Sequence, residues 1–159
     1  MSSTTPTAPT APTAPTAPFI HRHRLRLSQT DAGGVVFFAQ SLVIAHDAWE
    51  AVLDEVGFSV ARIISEGTFA LPIVEANTRL LRPMRVGDDV AVEVTLEKLG
   101  TSSIIVGSRL EVDGVTVGLC RTVHVCIDGQ GRSAPLPETL RAALRARFGV
   151  DVGATVDRG

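Results

Sequence analysis

The chain has 159 residues, 45% of them hydrophobic and 20% charged, with a formal net charge of -2. That balance describes one globular domain, long enough to bury a core without staples. It excludes a nucleic-acid surface built on excess positive charge. The lack of Tyr and the single Trp remove the aromatic platform on which bases stack, and no apolar run approaches the roughly 18 residues of a membrane span.

Residues 1–18 form a Thr/Ala/Pro repeat with no charged side chain and, after Met1, no bulky apolar residue before Phe19. Such a segment cannot offset its ordering entropy, so it reads as a disordered tail. It lacks the basic start and apolar centre of a secretory signal. Residues 19–150 read as the folded domain, and 151–159 as a frayed C-terminus.

Residues 19–27 alternate, with Phe19, His21, His23, Leu25 and Leu27 on one face and Ile20, Arg22, Arg24 and Arg26 on the other. This predicts a strand with a basic outer face. His21 and His23 read as a strand-face pair, because no third metal ligand follows at a sensible spacing. Residues 28–34 form a turn, and 36–56 a helix with an apolar stripe at Phe38, Leu42, Ala45, Trp49, Val52 and Val56. Gly57 marks its stop. Ser59 is the expected N-cap of a second helix over 60–66, ended by Gly67.

From Phe69 the period changes to two. Residues 69–81 predict a strand that Pro72 makes an edge or bulges. After a turn-rich connector over 82–88 comes a strand at 89–99, with Val90, Val92, Val94 and Leu96 inward. Residues 100–102 form a hairpin loop, 103–112 the next strand, and Asp113-Gly114 a tight turn. The last and longest strand spans 115–127, with Val115, Val117, Leu119, Val123, Val125 and Ile127 expected on one face. A Gly-rich turn leads to a helix at 136–148 that starts near Pro137. The order is strand, long helix, then a meander of four antiparallel strands, an α+β domain whose helix covers one sheet face. The apolar content on both faces of the later strands suggests a second copy packed nearby. Cys120 and Cys126 lie six apart on one strand face. Their Cα atoms should then be roughly 20 Å apart, beyond the ~7 Å limit of a disulfide. Two reduced thiols fit a cytoplasmic protein.

The stretch from Thr30 to Glu50 gathers the chemistry. Asp31 sits on a turn with Gly33 and Gly34, just ahead of the long helix. Backbone N–H groups at such a helix end are unpaired and can hold developing negative charge. An acid there can also be a plain N-cap or Asx-turn residue. No Ser-His-Asp spacing, G-x-S-x-G elbow or phosphate-binding glycine loop competes with it.

The order of elements, together with Thr30-Asp31-Ala32-Gly33-Gly34-Val35-Val36-Phe37-Phe38, resembles the hot-dog fold of the 4-hydroxybenzoyl-CoA thioesterase family. The resemblance covers about 19–127. The segments 44–50, 71–76 and 121–128 are most similar to the branch of that family acting on 1,4-dihydroxy-2-naphthoyl-CoA, in phylloquinone and menaquinone synthesis. The resemblance implies a long helix wrapped by a five-stranded antiparallel sheet. It also implies a cofactor-free acyl-CoA thioesterase with an aromatic hydroxyacyl-CoA substrate bound between subunits of a homodimer or homotetramer. Asp31 matches the family's catalytic acid, and carboxylate chemistry allows it to act as nucleophile or as general base. The Phe38 N–H matches the oxyanion donor. Gly34 permits close backbone approach, and Phe37 and Phe38 are candidate acyl-pocket residues, with at least one expected in the core. His46 stands where the hydroxybenzoyl enzymes have an acid that contacts the substrate phenol, and an imidazole can serve a different hydroxyaryl group. His46 can equally be satisfied by Glu50, and His124 reads as structural. Pro72, Lys98, Thr101 and Ser102 complete the substrate-binding set. The basic hairpin cluster of those enzymes is reduced here to Lys98, so Arg82, Arg85 or Arg121 are further candidates for the coenzyme A phosphates. A thioesterase for aliphatic or carrier-protein thioesters and a non-catalytic acyl-CoA binder are the competing readings.

Overall fold

A computed structural model describes residues 17–149; most of the predicted tail and the predicted C-terminal fraying at 151–159 lie outside the described residues. Strand β1 (Phe19–Arg24) leads through a short 3-10 turn into helix α1 (Phe38–Glu55). Helix α2 (Val60–Glu66) and strands β2 (Phe69–Ala70), β3 (Ile73–Leu80), β4 (Asp89–Leu99), β5 (Ser103–Val112), β6 (Val115–Val125) and β7 (Ile127–Asp128) follow. Helix α3 (Glu138–Phe148) closes the fold.

Five strands make one antiparallel sheet in the order β1-β4-β5-β6-β3, and β2 pairs with β7 beside it. The hot-dog expectation therefore holds, with one correction. Only β4, β5 and β6 are a meander. β3 pairs with β6, not with β4, so the 82–88 connector carries the chain across the sheet. α1 lies on the inner face, where Ile44, Ala45, Ala48, Trp49, Val52 and Leu53 meet Val90, Val92, Val94, Ile104, Val106 and Leu110 in one core. The buried stripe of α1 is thus turned by about one residue from the predicted one, which leaves Phe38 outside it.

Three strand expectations change. β1 ends at Arg24, because the Gln29 side chain accepts the Arg26 N–H at 3.0 Å and turns the chain; Leu27 is 75% exposed instead of facing inward. The predicted strand over 69–81 splits at Leu71-Pro72, since proline has no N–H for a ladder. Its longer piece is an edge strand with a register shift at Ile73/Glu75, as Pro72 implied. In β6 the expected inward face is reversed beyond Val117. Leu110 pairs with Gly118 and Glu111 with Thr116, so Val117 is an extra residue and the alternation slips by one. Cys120, Thr122 and His124 consequently face the core, and Leu119 is exposed. Both cysteines are free and buried. α2 has the expected Ser59 cap, whose Oγ accepts Arg62 N–H at 3.2 Å. No described helix is long and apolar enough to cross a membrane. Among the described residues, no group of three His, Cys, Asp or Glu is placed to hold a metal ion.

Candidate active site

The Asp31 loop is built by local hydrogen bonds. Asp31 N–H donates to Val35 O at 2.9 Å, Gly34 N–H to Asp31 O at 3.0 Å, and Gly33 N–H to Asp31 Oδ1 at 2.8 Å. Gly34 takes φ 71, a left-handed geometry that costs any residue with a Cβ roughly 1–2 kcal/mol. The loop is anchored from outside by Val36 N–H on Met84 O at 2.8 Å and by a bridge between Val35 and Arg85. One carboxylate oxygen is therefore held by the loop, and the side chain as a whole remains exposed.

The turn delivers the chain to α1 without a cap. The N-cap residue is Phe37, which has no side-chain acceptor, and the first turn carries no acid. Phe37 N–H is used by Gln29 O at 2.9 Å, but no oxygen among the described residues accepts the Phe38 or Ala39 N–H. These free donors, at the positive end of an 18-residue helix, suit an oxyanion. Phe37 and Phe38 are 46% and 58% exposed, with ring centroids 4.6 Å apart. The expected core role for one of them is thus not met within a single chain. Next to the loop, Val35, Val36, Leu80, Leu81, Arg82 and Pro83 line an open cleft of about 290 Å³.

His46 lies about 12 Å further along α1 by helical rise. Its Nε2 is 3.3 Å from Glu50 Oε1, and its Nδ1 is buried with no partner among the described residues. His46 stacks on His124 at 6.2 Å, and His124 meets Trp49 at 5.6 Å. His124 is 1% exposed. Its Nδ1 lies 3.4 Å from the Leu71 carbonyl and its Nε2 3.0 Å from Thr122 Oγ1. A carbonyl only accepts, so Nδ1 carries the proton and Nε2 accepts the threonine hydroxyl. Burial holds His124 neutral and lowers its pKa from 6.5 to about 4. The structural reading of His124 stands, with the addition that it backs the His46 ring.

The other candidates lie elsewhere. Pro72 O accepts Val125 N–H, Thr101 O accepts Leu136 N–H, and Ser102 O accepts Cys126 N–H. With Lys98 these residues sit at the end of the sheet where β4 turns into β5. Asp31 sits at the end where β3 leaves and β4 begins, ~30 Å away along an 11-residue strand. One chain therefore brings together Asp31, Gly34, Phe37 and Phe38, and sets Pro72, Lys98, Thr101 and Ser102 apart from them. Arg121 is engaged by Glu75 at 3.2 Å and Glu97 at 2.9 Å on the outer sheet face, away from the loop. Arg82 lines the cleft, and neither Arg82 nor Arg85 forms an ion pair with a described residue.

Sequence reasoning passed over Ser41, Thr78 and Cys120, which meet in the interior beneath the start of α1. The available signal was a hydroxyl four residues before Ala45, within the buried stripe.

Comparison with known proteins bears on the fold and the family. Residues 25–144 match the model of the thioesterase-like superfamily. A 1,4-dihydroxy-2-naphthoyl-CoA hydrolase of Synechococcus elongatus is 38% identical over 123 residues, 76% of this chain and 90% of that protein. One of Nostoc punctiforme is 36% identical over 72% of this chain and 78% of its own length. The crystal structure of a 1,4-dihydroxy-2-naphthoyl-CoA thioesterase from Synechocystis superposes with a TM-score of 0.76 at 30% identity, covering 80% of this chain and 96% of that one. Matched by that family model over most of its length and by relatives more than 30% identical to it, the chain belongs to the thioesterase-like superfamily.

Proposed function

We propose that this protein hydrolyses an aromatic hydroxyacyl-CoA, with 1,4-dihydroxy-2-naphthoyl-CoA as the substrate, in a cytoplasmic step of quinone synthesis. The observation that carries the reading is the exposed Asp31 carboxylate on the turn that leads into α1, whose first N–H, that of Phe38, has no acceptor among the described residues. The names of the relatives support the acyl group. Thioester hydrolysis needs an acid residue to attack or to activate water, and a donor for the oxyanion. Asp31 takes the first role and the Phe38 amide the second, with Gly34 keeping the approach clear. Phe37 and Phe38 flank the acyl group, and the exposed edge of the His46 ring, beside Glu50, meets its ring hydroxyl. Arg82 and Arg85 meet the coenzyme A phosphates.

The working unit is at least a homodimer. β3 is an edge strand with Ile73, Val74 and Leu80 exposed on it. An exposed edge strand presents a row of unpaired backbone N–H and C=O groups, which favours pairing with another chain. Antiparallel pairing of two β3 strands about a two-fold axis places the Pro72 end of one copy beside the Leu80 end of the other. Lys98, Thr101 and Ser102 of one copy then approach the other copy's Asp31 loop, and its exposed phenylalanines are covered.

Turnover of 1,4-dihydroxy-2-naphthoyl-CoA, 4-hydroxybenzoyl-CoA and an aliphatic acyl-CoA is compared by free-thiol detection. The naphthoyl thioester is expected to give the highest kcat/KM, and Asp31→Asn to lower kcat by about a hundredfold or more. Wild-type-like turnover by Asp31→Asn refutes the mechanism. Ligand-induced stabilisation with no thiol release would identify a binder instead of an enzyme.

A further inference from the structure

We infer that Ser41 and Thr78 are positioning residues that hold the first turn of α1, and with it the Phe38 N–H, against strand β3. The inference rests on the reading of that amide as the oxyanion donor. An N-cap side chain normally fixes the start of a helix and contributes about 1 kcal/mol. Here a cap is missing, which frees the Phe38 and Ala39 N–H groups for a ligand and removes their usual restraint.

The restraint comes from inside. Ser41 is 0% exposed. Its hydroxyl donates to Phe38 O at 2.6 Å, and its oxygen lies 2.8 Å from Thr78 Oγ1. With the Ser41 proton committed to a carbonyl, Thr78 must donate to Ser41. Cys120 Sγ lies 3.4 Å from Thr78 Oγ1 and donates to Ser41 O at 3.5 Å. Burial raises the Cys120 pKa, so the thiol keeps its proton. The tie joins α1, β3 and β6. Thr78 is also the least exposed residue of β3, and Leu80 on the same strand lines the cleft beside the Asp31 loop. Apolar groups of the same shape would serve packing equally well, because replacing both partners of a buried hydrogen bond is close to neutral for stability. A hydroxyl pair on the turn that carries the free amides is accounted for by orientation. Displacement of reacting groups by about 1 Å can cost a hundredfold in rate.

The test compares Thr78→Val, which keeps the shape and loses the hydroxyl, with Thr78→Ser, which keeps the hydroxyl, and with Ser41→Ala. Each is assayed on 1,4-dihydroxy-2-naphthoyl-CoA, and amide hydrogen exchange is followed at residues 40–43, the hydrogen-bonded amides that follow the free pair. Thr78→Val and Ser41→Ala are expected to lose tenfold to a hundredfold in kcat, with KM within about twofold of wild type and faster exchange at those amides. Thr78→Ser is expected to retain most of kcat. Wild-type kcat in Thr78→Val, or an equal loss in Thr78→Ser, overturns the inference and leaves the proposed activity standing. Absence of hydrolysis by the wild-type protein overturns the activity and the inference with it. Unchanged amide exchange in Thr78→Val overturns the tie whatever the activity.

Discussion

Lowering the pH should destabilise this protein through His124. In the folded chain the ring is buried between Trp49 and His46, with Thr122 and the Leu71 carbonyl as its partners. The charged groups facing it are His46, which opposes protonation, and beyond it Glu50. Burial lowers the pKa from 6.5 to about 4, so between those values the unfolded chain takes up a proton that the folded chain refuses. Stability therefore rises with pH across this window. It is fully present above 6.5 and is lost as pH falls toward 4. At about 1.4 kcal/mol per pH unit, the loss is roughly 2 kcal/mol by pH 5 and about 3 kcal/mol by pH 4. Denaturant unfolding at pH 7.5 and pH 5, at one protein concentration, measures it. His124→Leu should be less stable at pH 7.5, because Leu71 O and Thr122 lose their partner, and should show a drop smaller than wild type by roughly 2 kcal/mol. A variant that keeps the full drop would place the acid sensitivity elsewhere. Asp128 does not account for it, since the Arg132 N–H holds its pKa below the usual carboxylate range and its contribution is lost only at a lower pH than this comparison spans.

His46→Ala should lower kcat/KM about fivefold for a hydroxyaryl thioester and far less for the matching thioester without the hydroxyl, since one hydrogen bond contributes roughly 1 kcal/mol; equal losses on both would remove His46 from recognition. Gly107→Ala should destabilise the protein by roughly 1–3 kcal/mol in thermal unfolding. A Cβ there would come within 2.7 Å of Glu97 Oε1 and Thr95 Oγ1, pushing Glu97 off Arg121 across the bare backbone of β5. An unchanged Tm would show that the Glu97 carboxylate simply moves aside.

Most of the fold was legible because it rests on local patterns. The alternation of β4 read directly, with Val90, Val92, Val94 and Leu96 inward as observed. The Ser59 cap, the Asp113-Gly114 turn and the proline edge at β3 follow from single residues with one physical meaning. What was not legible depends on pairing between distant segments. The bulge at Val117 exists only against Leu110 and Glu111. It moved Cys120 and His124 into the core although the sequence alternates evenly past it. Nor does local pattern specify that β3 adds beside β6. Gln29 ending β1 is a side-chain event that no period records. In the site, Asp31 was legible because an acid, two glycines and a helix start are contiguous. Pro72, Lys98, Thr101 and Ser102 lie at the far end of the sheet from Asp31, a separation set by strand pairing that no local pattern records.

The start of α1 breaks the ordinary rules of a helix terminus in a consistent direction. An N-cap position usually carries Ser, Thr, Asp or Asn, and a first turn favours acids. This helix begins with two phenylalanines, both exposed, and with no acid in its first turn. Each departure costs stability. Each also removes a group that would compete for the free amides or repel an anion from them. The one nearby acid, Asp31, is held back on its own turn by the Gly33 N–H, so it stands ahead of the helix end without capping it. The single stabilising feature of the turn, the Ser41–Thr78 pair, lies on its buried side and leaves the donors open. Local rules broken together at one place, with a restraint confined to the side away from solvent, are what a preorganised anion site requires. A terminus selected for stability alone would have placed its hydroxyl at position 37.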